Sequence, residues 1–151
     1  LDYALIQCTA AGTNGTNIRW SVKTDTSSTT RYSSGGSAIT PVNPNNSSSE
    51  VPTVTMYAGA VVAAAASSGA RLIGSILARP VINVVGDIYL LRFGDQPQVP
   101  CGILNGTAPA AVELPFPQVI LGPQETVLIH QTSASQSAAA SYEFQVGFSV
   151  R

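Results

Sequence analysis

The sequence predicts an all-β fold, specifically an antiparallel β-sandwich of the jelly-roll type. Near the C-terminus, Tyr142, Phe144, Val146, Phe148 and Val150 occupy every second position. Successive side chains of a strand point to opposite faces, so this alternation is typical of a strand with one buried face. Short apolar segments recur along the rest of the chain, separated by turns rich in Gly, Pro and Asn. Since no segment shows a sustained apolar period of about 3.6 residues, little helix is expected.

The apolar segments predict short strands in one domain that covers residues 1–151. The C-terminal segment is expected to be a core strand that closes the sandwich, with Phe144 buried, and Trp20 is expected to face inward. An immunoglobulin-like sandwich is the alternative, but the Cys–Trp–Cys spacing of that family is absent. The predicted strands are 3–9, 18–23, 54–66, 71–78, 81–85, 88–93, 101–104, 112–114, 119–121, 126–130 and 142–150.

Charged residues are scarce in this chain. They make up 10% of it, against about 25% in an ordinary soluble domain. An uncharged polar surface suits a protein that buries much of itself against other chains or on a particle. The net charge is −1 and the seven basic residues are scattered, so nucleic acid is not an expected partner. No apolar run reaches the roughly 20 residues that span a bilayer, so no membrane association is expected.

Residues 24–50 are dominated by Ser, Thr, Gly, Asn and Pro. Such a segment is too polar to build core, so it is expected to be a long surface loop with a short strand near 30–33. Loops of this length are uncommon in compact domains unless they are functional. We therefore expect this loop to contact a partner, and its candidate contact residues are Arg31, Tyr32, Asn45 and Asn46.

The segment 54–66 ends in a run of alanines. Its flanking valines favour a strand, although helix propensity alone permits one helical turn. Alanine side chains have little volume, so a neighbouring subunit at a symmetry axis could pack closely against this strand. The candidate oligomer-interface residues are Ala60, Ala63, Ala64, Ala65 and Ala66.

The sequence carries no catalytic signature, so an enzyme is not expected. His130 is the only histidine, and with no recognisable nucleophile motif it is interpreted as a structural or surface residue. Asp87 follows a glycine near a strand end, where hydrogen bonding to its own turn is a commoner role than calcium binding. No cofactor or metal is implied. Cys8 and Cys101 are interpreted as two separate buried thiols, with a single disulfide as the alternative.

Four phrases together resemble the small head decoration, or cement, proteins of tailed double-stranded DNA bacteriophages. They are RYSSGGSAITP at 31–41, GAVVAAAASS at 59–68, LGPQETVLIH at 121–130 and SQSAAASYEFQVG at 135–147. The resemblance implies a β-sandwich, usually trimeric, that sits on the outer capsid surface of the virion at local three-fold positions. Its partner would be the major capsid protein. The function would be mechanical, because bridging adjacent capsomers stabilises the head against internal DNA pressure.

Three other functions compete with this interpretation. A hydrolase is the least expected of them, because the sequence offers no paired catalytic residues. A single-jelly-roll viral coat protein shares the fold but usually carries a basic arm, and none is visible here. A carbohydrate-binding module of a fibre would expose several aromatic residues. The aromatic candidates for such a module are Trp20, Tyr32, Tyr57 and Tyr89, most of which alternate into the predicted core.

Overall fold

The computed structural model describes residues 1–25, 36–45, 47–50, 54–58, 70–94, 103–123 and 125–149. These residues form nine β-strands and no helix, which confirms the predicted all-β class. The strands are β1 (Tyr3–Ala10), β2 (Thr16–Asp25), β3 (Ser37–Ile39), β4 (Met56–Ala58), β5 (Arg71–Arg79), β6 (Ile88–Phe93), β7 (Ala111–Phe116), β8 (Thr126–Ala134) and β9 (Ser141–Gly147).

The strands form three sheets. A four-stranded sheet has the order β7-β6-β1-β9, a three-stranded sheet has the order β5-β2-β8, and β3 pairs with β4 in a separate two-stranded ribbon. Every neighbouring pair is antiparallel except β6 and β7, which are parallel. That pair departs from the predicted antiparallel sandwich. A parallel pair requires a crossover connection, which here is the chain between Phe93 and Ala111.

The core lies between the inner faces of the two larger sheets. Trp20 is 1% exposed, which confirms that it faces inward. Its indole packs 5.5 Å from the ring of Tyr89 and 5.3 Å from the ring of Tyr142, both on the four-stranded sheet. One aromatic side chain of β2 therefore joins the two sheets. The buried cluster comprises Ala4, Ile6, Trp20, Val22, Ala78, Tyr89, Leu91, Phe93, Leu104, Val112, Leu114, Phe116 and Val119.

Two predicted strands, 81–85 and 119–121, are wrong. Residues 81–85 lie in a turn instead, where the Asp87 N–H donates to the Val84 carbonyl at 3.0 Å. Arg79 donates to the Ile82 carbonyl and Asp87 accepts from the Val84 N–H, so these backbone groups are not available to a neighbouring strand. Residues 119–121 likewise form no ladder. In the predicted strand 101–104, residues 103 and 104 are not in a strand, and 101–102 lie outside the described residues.

Among the described residues, the C-terminal strand β9 lies at the edge of its sheet, whereas the alternation predicted a core strand that closes the sandwich. It pairs with β1 on one side, and Phe144 is 40% exposed. Alternation specifies which face of a strand is apolar, but it carries no information on whether that strand lies at the centre or the edge of its sheet. The expectation of a buried Phe144 is therefore corrected.

The long polar segment 24–50 is not a single loop. Its first two residues, Thr24 and Asp25, still belong to β2, and residues 37–39 form β3. The short strand expected near 30–33 lies outside the described residues. In the predicted strand 54–66, residues 56–58 form β4, and 59–66 are also outside the described part of the chain.

Cys8 is a fully buried free thiol on β1. Burial raises the pKa of this thiol, and the negative charge of Asp87 adds to the shift. A raised pKa keeps a thiol in its unreactive protonated form. Cys8 therefore serves as a small apolar core residue, as the sequence predicted, whereas Cys101 lies outside the described residues.

Candidate functional site

Most of the sequence-predicted contact residues fall outside the part of the chain that the structure describes. These are Arg31, Tyr32, Asn46, Ala60, Ala63, Ala64, Ala65 and Ala66. Asn45 is described, and it is exposed. Its side-chain oxygen accepts from the Ser47 N–H at 3.1 Å, and its own N–H donates to the Asn43 side-chain oxygen at 2.9 Å. Successive Asx turns of this kind fold the segment locally and leave the outer edge of the turn accessible.

Beside this turn, the β3–β4 ribbon and its flanks expose several large apolar side chains. Ile39 is 38% exposed, Val54 41%, Tyr57 47% and Val42 82%. We refer to these four residues as the ribbon surface. An isolated two-stranded ribbon is at best marginally stable in water. Ile39 pairs with Met56, so Tyr57, the next residue of β4, points to the opposite face, and the ribbon exposes large apolar side chains on both of its faces. Exposed large apolar side chains on a soluble domain are a common feature of interaction sites. The ribbon surface is therefore the strongest candidate contact site among the described residues.

The sequence predicts only part of this site. The surrounding polar segment indicates a partner contact, but Tyr57 is among the aromatic residues that mostly alternate into the predicted core. The alternation of residues 54–58 resembles that of any half-buried strand. What exposes Tyr57 is that β4 pairs with β3 and not with a strand of a larger sheet.

A buried ion pair joins Arg79 and Asp87 at 3.4 Å, with the two side chains 1% and 0% exposed. The guanidinium Nε donates to the Ile82 carbonyl at 2.9 Å, and one terminal nitrogen donates to the Gly106 carbonyl at 2.7 Å. The Asp87 carboxylate accepts from the Val84 N–H at 2.9 Å, as expected for an aspartate in a turn. These bonds attach two irregular connections to β5. Their role is structural.

Two phenols extend the network into the core. The Tyr89 hydroxyl donates to the Asn83 side-chain oxygen at 2.9 Å, and the Asn83 amide donates to the Tyr142 hydroxyl at 2.7 Å. Burial raises the pKa of Tyr89 and of Tyr142, and the nearby Asp87 charge adds to both shifts. Both phenols therefore stay neutral at physiological pH. A fully satisfied buried network of this kind fixes the packing of a core.

His130 lies on β8 directly opposite Ser21 of β2. Its Nδ1 atom is buried without a hydrogen-bond partner, and burial together with the charge of Lys23 lowers its pKa. The Ser21 hydroxyl donates to the Ser75 hydroxyl at 2.8 Å, and Ser21 is 5% exposed. A nucleophilic serine must reach substrate and donate its proton to the base. Ser21 is too buried to reach a substrate, and its hydroxyl donates to Ser75 and not to His130. The pairing of Ser21 with His130 is therefore a structural contact.

An open cleft of about 330 Å³ lies at the connection between β8 and β9. The Gln136 side chain is committed to this connection, because its amide donates to the Ala138 carbonyl at 2.8 Å and its oxygen accepts from the Ser133 hydroxyl. The Ser137 hydroxyl likewise donates to the Thr13 carbonyl at 3.3 Å, whereas the amide nitrogen of Gln131 is buried without a hydrogen-bond partner. The residues that line it are Gln131, Gln136, Ser137, Ala138, Ala139 and Ala140.

Among the described residues, no group of three or more His, Cys, Asp or Glu side chains is arranged to hold a metal ion. The same residues contain no helix with the length and apolarity needed to cross a membrane. No family model, curated protein or solved structure matches the chain. The ribbon surface and its neighbouring turn are thus the features on which a function can be argued.

Proposed function

We propose that this chain is a structural virion protein, a decoration or cement protein that binds the outer surface of a phage head. The observation that carries the proposal is the ribbon surface, because it exposes large uncharged side chains on a ribbon that is separate from the two larger sheets. Cores of protein interfaces are depleted in charged residues and enriched in aromatic anchors. Tyr57, at 47% exposure, supplies such an anchor. The major capsid protein is the proposed partner.

The strand pairing supports the finer jelly-roll assignment. The first strand, β1, pairs with the last, β9, in one sheet, and the second, β2, pairs with the penultimate, β8, in the other. This nested pairing, alternating between two sheets, is what a jelly roll produces when a long hairpin wraps into a double-sheet body. The parallel β6–β7 pair is a local departure from that scheme.

A trimer completes the proposal, since a symmetric oligomer on an oligomeric capsid site binds by several modest contacts at once. The interface through Ala60 and Ala63–Ala66 remains a prediction from the sequence. The substitution Ala64→Arg is expected to abolish the three-fold association of the 15.6 kDa chains and so to reduce the solution mass threefold. The exposed Ala139 is a matched control, and Ala139→Arg should leave the trimer intact. An unaltered trimer in the Ala64→Arg variant would remove this strand from the interface.

The binding experiment uses empty heads of the virus that encodes the chain, lacking this protein. The wild-type chain should co-sediment with the heads and saturate at a fixed number of copies. A Val42→Ser, Tyr57→Ser variant should lose binding, whereas Leu72→Ser is the control, because Leu72 is 55% exposed but lies on β5. Failure of the wild-type chain to bind, or equal binding by the ribbon variant, would refute the proposal. Closed shells formed by the chain alone would favour the coat-protein alternative.

A further inference from the structure

We infer that the open edge of β9 is a self-association surface at which two copies of this chain pair antiparallel across a two-fold axis. The inference does not depend on the proposed function. It starts from the position of β9, which pairs with β1 on one side and, among the described residues, with no strand on the other. An edge strand presents a row of backbone donors and acceptors that can pair with another chain.

The hydrogen bonding of β1 shows which β9 residues face the open edge. The Cys8 N–H and C=O both bond toward the β6 side, to the Asp87 carbonyl and the Gly86 N–H, each at 2.8 Å. Backbone groups alternate sides along a strand. Consequently Tyr3, Leu5 and Gln7 bond toward β9, where they pair with Gly147, Gln145 and Glu143. The backbone groups that remain for the open edge belong to Tyr142, Phe144 and Val146.

The other edges carry features that discourage pairing. Prolines and charged side chains are common protective devices on edge strands. Strand β7 contains Pro115, and β5 begins with the exposed Arg71. Strand β8 contributes none of the exposed large apolar side chains, whereas Phe144 on β9 is 40% exposed. Strand β9 contains no proline over its seven residues, and its single charged side chain is Glu143.

The sequence of β9 is complementary to itself in one register. Phe144 is the midpoint of Ser141–Gly147, so antiparallel pairing about Phe144 engages the whole strand and forms about six backbone hydrogen bonds. The core-side pairs are then Phe144 with its copy and Tyr142 with Val146. On the outer face Glu143 stands opposite Gln145 of the second copy, twice. A register centred one residue earlier would instead place the two Glu143 carboxylates directly opposite each other, which is unfavourable.

The geometry therefore selects a second copy of the chain as the occupant. The paired edge covers the exposed ring of Phe144 with its own copy and lets the Gln145 amide donate to the Glu143 carboxylate across the axis. It also joins two four-stranded sheets into one continuous sheet.

The test measures the mass of the full chain by light scattering over a dilution series. The wild-type mass should correspond to two chains, or to six if three-fold association also occurs. The substitution Gln145→Glu places two carboxylates opposite each other at both ends of the pair. It should weaken the pairing about tenfold, since directly opposed like charges destabilise a sheet.

A charge swap separates pairing from a folding defect. The double variant Glu143→Gln, Gln145→Glu restores one carboxylate opposite one amide at each position, so pairing should return to within about threefold of wild type. Both this double variant and Gln145→Glu lack the 3.4 Å contact between the Gln145 amide and the Tyr3 hydroxyl. The double variant is therefore a matched control for Gln145→Glu. A wild-type monomer or trimer, an unaffected Gln145→Glu variant, or a swap that fails to restore pairing overturns the inference. A trimer whose mass is unchanged by Gln145→Glu would overturn the inference of β9 pairing and leave the proposed function intact.

Discussion

Replacing Asp87 by Asn should strongly destabilise this protein, because it removes one charge of a fully buried ion pair. Arg79 is 1% exposed and keeps its backbone carbonyl partners, but its charge would no longer be balanced. In addition, both Asp87 oxygens accept backbone N–H groups, from Val84 at 2.9 Å and Ala110 at 3.2 Å. An Asn amide can accept at only one of those positions. Breaking a buried pair by removing one partner costs about 3–5 kcal/mol.

Chemical denaturation at neutral pH measures this loss as a fall in the free energy of unfolding. The matched control is the surface pair Arg92–Glu113, which has the same 3.4 Å separation, with side chains 44% and 41% exposed. Because solvent screens exposed pairs, Glu113→Gln should change the stability by at most about 1 kcal/mol. If Asp87→Asn also lowers the free energy of unfolding by less than about 1 kcal/mol, the buried Arg79–Asp87 ion pair does not stabilise the fold.

Three further perturbations test the packing and the titration of the fold. Phe116 is 3% exposed, so Phe116→Ala should lower the free energy of unfolding by about 3–5 kcal/mol. Phe144 is 40% exposed, so Phe144→Ala should lower it by about 1–2 kcal/mol. Equal losses in urea denaturation at high dilution would contradict the edge position of β9. Because the folded pKa of His130 is lowered, the unfolded chain takes up its proton first as the pH falls below about 6.5. Stability should therefore drop more in the wild type than in His130→Gln between about pH 7.5 and 5.5, and parallel curves would show that His130 is not desolvated. A Cβ added at Gly12 would lie 2.5 Å from the Ala138 carbonyl oxygen and overlap the Gln136 amide, so Gly12→Ala should lower the thermal midpoint and cost about 1–3 kcal/mol. Gly122→Ala, which meets only a 3.4 Å contact, is its control, and equal midpoints in the two variants would rule out the close approach.

The sequence located most of the strands. Segments 3–9, 18–23, 71–78, 88–93, 112–114 and 126–130 all fall within observed strands. Each has either an alternating apolar pattern or a short apolar run bounded by turn residues, which is local information. The run 81–85 has the same composition, yet it forms a turn. The difference is tertiary, because Asp87 and Arg79 use the backbone of this run to anchor the connection.

The candidate contact site was predicted only in outline. A segment rich in Ser, Asn and Pro indicates a surface position, so the exposure of Asn45 follows from composition. The exposure of the apolar residues of the site does not follow from composition. Ile39 and Tyr57 belong to apolar segments that could equally have been buried, and their exposure depends on β3 and β4 pairing with each other.

The sequence by itself determined the all-β class, the inward face of Trp20 and the scarcity of charge, because side-chain alternation and composition act locally along the chain. The tertiary structure alone decided the order of strands within each sheet. That order left β9 at an edge with Phe144 half exposed, set β6 and β7 parallel, and brought Arg79 and Asp87 together out of water. Strand order is set by competition among many compatible pairings for the same buried surface, and no single segment encodes the outcome.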